Sequence, residues 1–274
     1  MNDFPETATA RLRTNGQVIF AITLVHFSGD FFSSFIIPLL PVFAEKFALT
    51  LAQVGLVTGL SRILAFIVQP LTGYLADRYQ SRLFVLGGLS LVVLFVPLTG
   101  VAPGFWFLLL FVGLGSIGSS MFHPTCAGMV PDYAGRKPGL SMSVFNTGGT
   151  LSFGVGPIFI AWYVGAYGLE AMPWLMGLGA AVLAYLLGVL PPPRGEGLRD
   201  LGFLGSMRDA FGGVWRPILV LWFIMVLRSY TGQSFFTFLP VLFASEGHSL
   251  VSVGAMVSLF PVGGPLSGIL AGHL

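Results

Sequence analysis

Gly73-Tyr74-Leu75-Ala76-Asp77-Arg78-Tyr79-Gln80-Ser81-Arg82 is a short charged turn set between two long apolar runs, Leu51–Ala76 and Leu83–Val101. A helix needs about 20 predominantly apolar residues to cross the hydrocarbon core of a bilayer. Both runs are of that order, so the stretch reads as the hairpin between two membrane-crossing helices. Working outward, six more runs of similar character occur: Gln17–Phe43, Phe105–Val130, Leu140–Tyr163, Met172–Leu190, Ile218–Phe243 and Val251–Leu274. The predicted fold is an all-α integral membrane protein of eight spans. Composition agrees: only 9% of the 274 residues are charged and 55% are hydrophobic, with a mean hydropathy of +0.87. A soluble domain carries about 25% charged residues. The 37 glycines suit membrane helices, whose backbones approach closely where side chains are small. The single Cys126 excludes an internal disulfide or a cysteine metal cluster, and a net charge of +2 gives no footprint for nucleic acid. No metal or other cofactor is expected.

Most connections between spans are short. The exception follows Pro191-Pro192-Pro193, where Leu198, Leu201, Leu204, Met207, Phe211 and Val214 recur at helical spacing with Arg199, Asp200, Arg208 and Asp209 between them. That pattern predicts an amphipathic helix lying on the membrane surface. The chain therefore divides into a six-span region (1–193), a surface linker (194–217) and a two-span region (218–274). Orientation follows from the basic residues, which gather in cytoplasmic loops. Ten of the 13 Lys and Arg fall on one side: Arg11, Arg13, Arg78, Arg82, Arg136, Lys137, Arg194, Arg199, Arg208 and Arg216. Lys46 alone falls on the other, while Arg62 and Arg228 lie inside spans. The N-terminus and the linker are expected in the cytoplasm and the protein in the cell's inner (plasma) membrane.

A shift of 199 residues partly superposes the chain on itself. Leu40-Pro41-Val42 falls on Leu239-Pro240-Val241, Val54-Gly55 on Val253-Gly254, Leu60 on Leu259, and Gly73 and Leu75 on Gly272 and Leu274. Span one is thereby matched to span seven. The first copy continues into Ala76-Asp77-Arg78 whereas the second stops at Leu274, so four further helices are expected.

Residues 73–82 resemble the signature loop G-x-L-a-D-R-x-G-R-R/K between helices two and three of the major facilitator superfamily, with Gln80 and Ser81 departing from it. The parallel repeat joined by a longer loop is similar to the build of those transporters. The resemblance implies an N-terminal six-helix bundle followed by the first two helices of a C-terminal one. Gly73 would allow close helix packing; Asp77, with Arg78 and Arg82, would latch the two halves. Gly148-Gly149, Gly154 and Gly156-Pro157 resemble the glycine-rich fifth helix of exporters in the superfamily, although Ile160-Ala161 stands where a trailing glycine pair would be. Gly149 and Gly156 are seven apart and so share one face, a packing groove for a neighbouring helix that ends at Pro157. Five stretches are similar to the fosmidomycin resistance protein family: His26 to Asp30, Gln69 to Gly73, Phe122-His123-Pro124, Phe145 to Pro157, and Arg228-Ser229 with Phe238-Leu239-Pro240. That resemblance implies proton-driven export of a drug or small metabolite by a monomer in the bilayer.

Ionisable groups inside spans are few: His26, Asp30, Arg62, His123 and Arg228. Each costs at least about 2.5–3.5 kcal/mol at the bilayer centre, so each is a functional candidate. At 1.5 Å per residue, Asp30, Arg62 and Arg228 lie roughly 15–20 Å from the ends of their helices, near the midplane. His26 precedes Asp30 by one turn on the same face. The repeat sets Asp30 opposite Ser229, beside Arg228, across the cavity that helices one and seven line in the resembled family. Asp30 is expected to carry the coupled proton with His26 as its relay. Arg62 or Arg228 moving toward and away from it would change its proton affinity. A static Asp–Arg pair is the plainer reading of the same residues. Two arginines against one acid favour an anionic substrate held by Arg62 and Arg228. His123, just before Pro124, is expected either to pack at a proline kink or to touch substrate. A channel would need repeated polar rings and an enzyme a clustered catalytic set, and neither occurs. Uptake by symport, or a non-transporting sensor on the same fold, are the alternatives to export. The charge asymmetry makes a direct prediction: a periplasm-active reporter fused in the loop at Lys46 is active, and one fused at Arg136 is silent. The reverse pattern would overturn the orientation.

Overall fold

The computed structural model describes residues 14–79, 82–193 and 202–259. Expectations resting on Arg11, Arg13, Gln80, Ser81, Arg194, Leu198, Arg199, Asp200, Leu201, Gly272 and Leu274, on the last expected span beyond residue 259, and on the side chains of Met207 and Asp209, lie outside them. Among the described residues the order is α1 (Gly16–Ser33), α2 (Ile36–Lys46), α3 (Leu51–Tyr79), α4 (Gly88–Leu98), α5 (Phe105–Tyr133), α6 (Pro138–Tyr167), α7 (Met176–Val189), α8 (Gly202–Phe211), α9 (Trp215–Ser245) and α10 (Leu250–Leu259). A π-helical turn, Leu83–Gly87, leads into α4, and a 3-10 stretch, Leu169–Leu175, leads into α7. No strand occurs among the described residues. Seven helices are long and apolar enough to cross a membrane, counting α1 and α2 as one, and α10 is a shorter apolar helix. The protein is a multi-pass, all-helical membrane protein.

The first span is broken at Ser34-Phe35 because Pro38 has no N–H to offer the carbonyl of Ser34 and its ring crowds that carbonyl. Its start is fixed locally and at a distance. Asn15 Oδ1 accepts from the Val18 amide at 3.2 Å, while the Asn15 amide donates to the Tyr133 carbonyl at 2.9 Å. Helix α3 begins with a reciprocal cap: Thr50 Oγ1 accepts from the Gln53 amide, and Gln53 Oε1 accepts from the Thr50 amide at 2.9 Å. Helix α10 begins on Ser249, whose hydroxyl accepts from the Ser252 amide. Thr50 and Ser249 are 199 residues apart. The repeat therefore extends to the hydroxyl that starts each helix.

With lipid outside and lipid-like side chains inside, helices associate through close packing and polar contacts. Glycine supplies the closeness. A Cβ on Gly118 of α5 would collide with the Gly88 carbonyl oxygen of α4, and one on Gly88 would stand 2.6 Å from the Gly118 oxygen. Gly29 of α1 leaves room for the Phe122 ring of α5. On α6, Gly148, Gly149 and Gly156 all face α1, so the groove expected from the seven-residue spacing receives α1. A Cβ on Gly254 of α10 would stand 2.8 Å from the Pro157 oxygen. Helix α9 meets α2, α3 and α10 through its C-terminal half, and every residue from Trp215 to Thr231 is exposed.

Helix α8 occupies part of the expected surface linker. Of the signature-loop residues, Gly73 lies beside Pro124, its would-be Cβ 3.6 Å from the Pro124 Cβ. Asp77 and Arg78 are exposed at the end of α3, where Arg78 Nη1 donates to the Tyr74 hydroxyl. Arg82 Nη1 donates to the Leu187 carbonyl at 3.3 Å. The backbone contact at Gly118 makes a measurable difference. Gly118→Ala should cost about 1–3 kcal/mol and lower the thermal midpoint of the purified protein. Gly128→Ala, on the same helix with open space around it, should not.

Candidate functional site

Asp30 is buried on α1, with 6% of its side chain exposed. Its two carboxylate oxygens meet two imidazoles. His26 Nε2, one turn earlier on α1, lies 3.1 Å from Oδ2, and His123 Nε2 of α5 lies 3.1 Å from Oδ1. Both rings are oriented from their other nitrogen. His26 Nδ1 donates to the Phe145 carbonyl of α6 at 2.9 Å, and His123 Nδ1 donates to the Ser119 carbonyl at 2.7 Å. The Ser119 hydroxyl also stands 3.2 Å from His123 Nδ1. The His26 ring stacks on Phe145 with centroids 4.2 Å apart, and the His123 ring stacks on Phe122 at 4.4 Å. Three helices thus converge on one carboxylate. Gly149 makes this possible: a Cβ there would lie 2.5 Å from His26 Nε2 and 2.9 Å from Asp30 Oδ2.

Asp30 and His123 line a cavity of about 270 Å³. Helix α1 also contributes Ser33, whose hydroxyl is buried without a partner. Serines from α3 and α5 add a polar wall, where the Ser116 hydroxyl donates to that of Ser61 at 2.8 Å. Arg62 lines the same cavity, but its partner is Gln233 of α9. Arg62 Nε and Nη2 both donate to Gln233 Oε1, at 3.0 and 2.6 Å. Gln233 Nε2 donates to Thr237 Oγ1 at 3.2 Å, which donates to Thr58 Oγ1 of α3 at 3.1 Å. A polar chain thereby stitches α3 to α9.

The expected pairing of Asp30 with arginine is not what the structure builds. Asp30 is satisfied by histidines, and Arg62 is held at Gln233. Arg228 is not across the cavity: it lies in the exposed half of α9 and does not line the site. The register of the repeat put it at the right depth, but depth along a helix does not fix which face looks inward. Of the two readings of His123, neither named its contact with Asp30, which joins α5 to α1. Gln233, Thr58, Thr237 and Ser33 carry no charge, so the cost of burying an ionisable group does not mark them in the sequence. An uncharged amide such as Gln233 inside an apolar run was the available signal, since polar side chains bond between membrane helices.

His26, Asp30 and His123 are the one group among the described residues with three potential metal-ligating atoms within 4.8 Å of one another. Each imidazole nevertheless meets a different carboxylate oxygen, which is the arrangement of two hydrogen bonds rather than of three ligands turned to one centre.

A carboxylate held by histidines at the wall of a polar cavity inside a bundle of spans is a transporter's architecture, and sequence comparison identifies the family. Residues 22–274 match the profile of the Major Facilitator Superfamily. The chain belongs to that superfamily. It is thus a member of a transporter family and not of an enzyme family. It is 30% identical over 183 residues to the fosmidomycin resistance protein of Escherichia coli (strain K12), covering 67% of this chain and 44% of that protein. It is also 30% identical over 203 residues to a multidrug resistance protein B homolog of Mycobacterium tuberculosis (strain ATCC 25618 / H37Rv), covering 72% and 36%. Its fold is similar to the crystal structure of a bacterial homolog of the human lysosomal transporter Spinster in an inward-facing, unoccupied conformation. The TM-score is 0.71 at 20% identity, over 94% of this chain and 63% of that one. The chain spans less than half the length of these two curated relatives.

The stitch between α3 and α9 can be weighed. In a double-mutant cycle of Arg62→Gln and Gln233→Ala on the purified superfamily member, a coupling energy of about 1.5–3 kcal/mol is expected for a charge-assisted bond. A coupling near zero would show that Gln233 does not hold Arg62.

Proposed function

We propose that the protein acts in secondary active export, exchanging protons for a small anionic molecule by alternating access. The single observation behind this reading is the buried Asp30 between His26 and His123 at the wall of the cavity that Arg62 also lines. A buried carboxylate in the membrane calls for a compensating function, and an acid bonded to imidazoles can take up and release protons. Emptied of protons, the cluster presents only acceptors: carboxylate oxygens and imidazole lone pairs. A substrate carrying hydrogen-bond donors then takes the protons' place, so occupancy by one excludes the other, as exchange requires. Arg62 supplies the anion preference. Two of its N–H groups rest on one neutral amide oxygen, and a carboxylate or phosphonate would make stronger, bidentate bonds to the same fork. The free hydroxyl of Ser33 is a further donor in reach of the cavity.

The names of the relatives support export, since they are resistance proteins for fosmidomycin and for multiple drugs. In this reading the protein is a monomer of the inner membrane with a cytoplasmic N-terminus, Gly73, Asp77, Arg78 and Arg82 belong to the gate, and neither a cofactor nor a nucleic acid takes part. The six-helix region to residue 193, the linker and the region from 218 remain its units. Arg228 has no part in the site.

One observation favours the opposite coupling, uptake by symport. Protons added to the cluster make positive the cavity wall that already carries Arg62, and this favours an anion entering with them. One experiment separates the two. Cells lacking their own exporter would express the protein, or Asp30→Asn at equal membrane levels, under fosmidomycin. Exchange predicts resistance that Asp30→Asn abolishes, with the cytoplasm acidifying as the drug leaves. Drug accumulation above that of control cells, lost in Asp30→Asn, would establish symport. Equal resistance in both would end the coupling role of Asp30.

A further inference from the structure

The hydrogen-bond directions around Asp30 fix more than a contact. A backbone carbonyl can only accept, so the nitrogen facing it must carry hydrogen. His26 Nδ1 faces the Phe145 carbonyl at 2.9 Å and His123 Nδ1 faces the Ser119 carbonyl at 2.7 Å. Each Nδ1 is therefore an N–H. In a neutral imidazole of that tautomer Nε2 bears a lone pair, and an ionised carboxylate is acceptor-only. Yet each Nε2 stands 3.1 Å from an Asp30 oxygen. Two lone pairs at hydrogen-bond distance in a low-dielectric interior repel, unless a hydrogen lies between them. Two neutral imidazoles and a carboxylate supply none for either contact.

We infer that the cluster holds two protons, one in each Nε2···O contact, whichever atom of the contact carries it. Loaded, the three side chains bear a net charge of +1; emptied, −1. The only covalent change is the gain or loss of two bonds to hydrogen. Among the described residues that line the cavity, Asp30, His123 and Arg62 of α3 are the ionisable ones.

The two protons are not equivalent. His123 and Asp30 line the cavity, and 28% of the His123 side chain is exposed. His26 does not line it: its side chain is 10% exposed, and its contact with Asp30 lies under the bare face of Gly149. The His123 proton exchanges directly with the cavity. The His26 proton leaves only through Asp30, after the first has gone. The use of both in transport rests on the coupling reading above, and would make the exchange two protons per cycle.

The test is spectroscopic and needs no substrate. The chain is prepared in lipid nanodiscs with 15N-labelled histidine, and His26 and His123 are assigned by the signals lost in His26→Gln and His123→Gln. In mildly acid buffer the two Nε2 atoms and the 13C-labelled Asp30 carboxyl should together hold two hydrogens. At fixed pH, on transfer to deuterated buffer, the His123 Nε2 site should exchange its proton before the His26 site. In Asp30→Asn the two histidine sites should exchange independently of each other. Lone-pair Nε2 atoms on both histidines, or on one with the 13C-labelled Asp30 carboxyl ionised, throughout the range in which the chain stays folded would overturn the two-proton count, and His26 exchanging first would overturn the order. A two-proton spectrum together with full transport by Asp30→Asn would leave the count standing and end the coupling reading. A one-proton spectrum with an inactive Asp30→Asn would do the reverse.

Discussion

A carboxylate in the middle of a membrane has to be surrounded by donors, and here the donors come from two imidazoles steered by backbone carbonyls of α5 and α6. That one requirement organises the centre of the bundle. Asp30 and His26 place α1; His123 brings α5 to it; the Phe145 carbonyl brings α6. The cost of burying the acid, at least about 2.5–3.5 kcal/mol, is offset only while all three helices keep their places. Packing and chemistry are therefore the same interaction at this point of the structure.

Small residues let the arrangement close. Gly149 stands where any side chain would meet His26 and Asp30, and Gly29 opposite it leaves room for Phe122, the ring on which His123 stacks. Gly156, two turns beyond Gly149, repeats the close approach to α1 at Ser34. The glycine-rich character of α6 serves the acid on α1 as much as it serves helix packing. The polar stitch from Arg62 through Gln233 and Thr237 to Thr58 is a second, separate fastening, made between α3 and α9 and not through the acid.

Much of this was legible in the sequence, for identifiable reasons. Spans are read from runs of apolar residues, and seven candidate membrane helices stand where runs were marked. The second span starts at Leu51 as expected, while the first and last described helices start one residue early, at Gly16 and Leu250, where Asn15 and Ser249 cap the first turn. His26 and Asp30 were paired correctly because i and i+4 on one helix is a local relation. Contacts between helices were harder. The expected Asp30–Arg228 opposition failed because a repeat gives depth along the helix but not rotation about its axis. His123 was noticed as a buried ionisable group, yet its reach to Asp30 depends on how α5 crosses α1, which no spacing within either helix encodes. Gln233 was missed since an amide carries no charge to mark it.

The way α9 is held has a mechanical consequence. Among the described residues its anchors lie in the C-terminal half, at Gln233, Thr237 and the contact of Phe238 with Gly55, while Trp215 to Thr231 touch nothing that covers them. A helix fastened near one end is a lever. From Gln233 back to Trp215 is about 27 Å at 1.5 Å per residue, so a tilt of about 10° at the fulcrum carries the far tip about 5 Å.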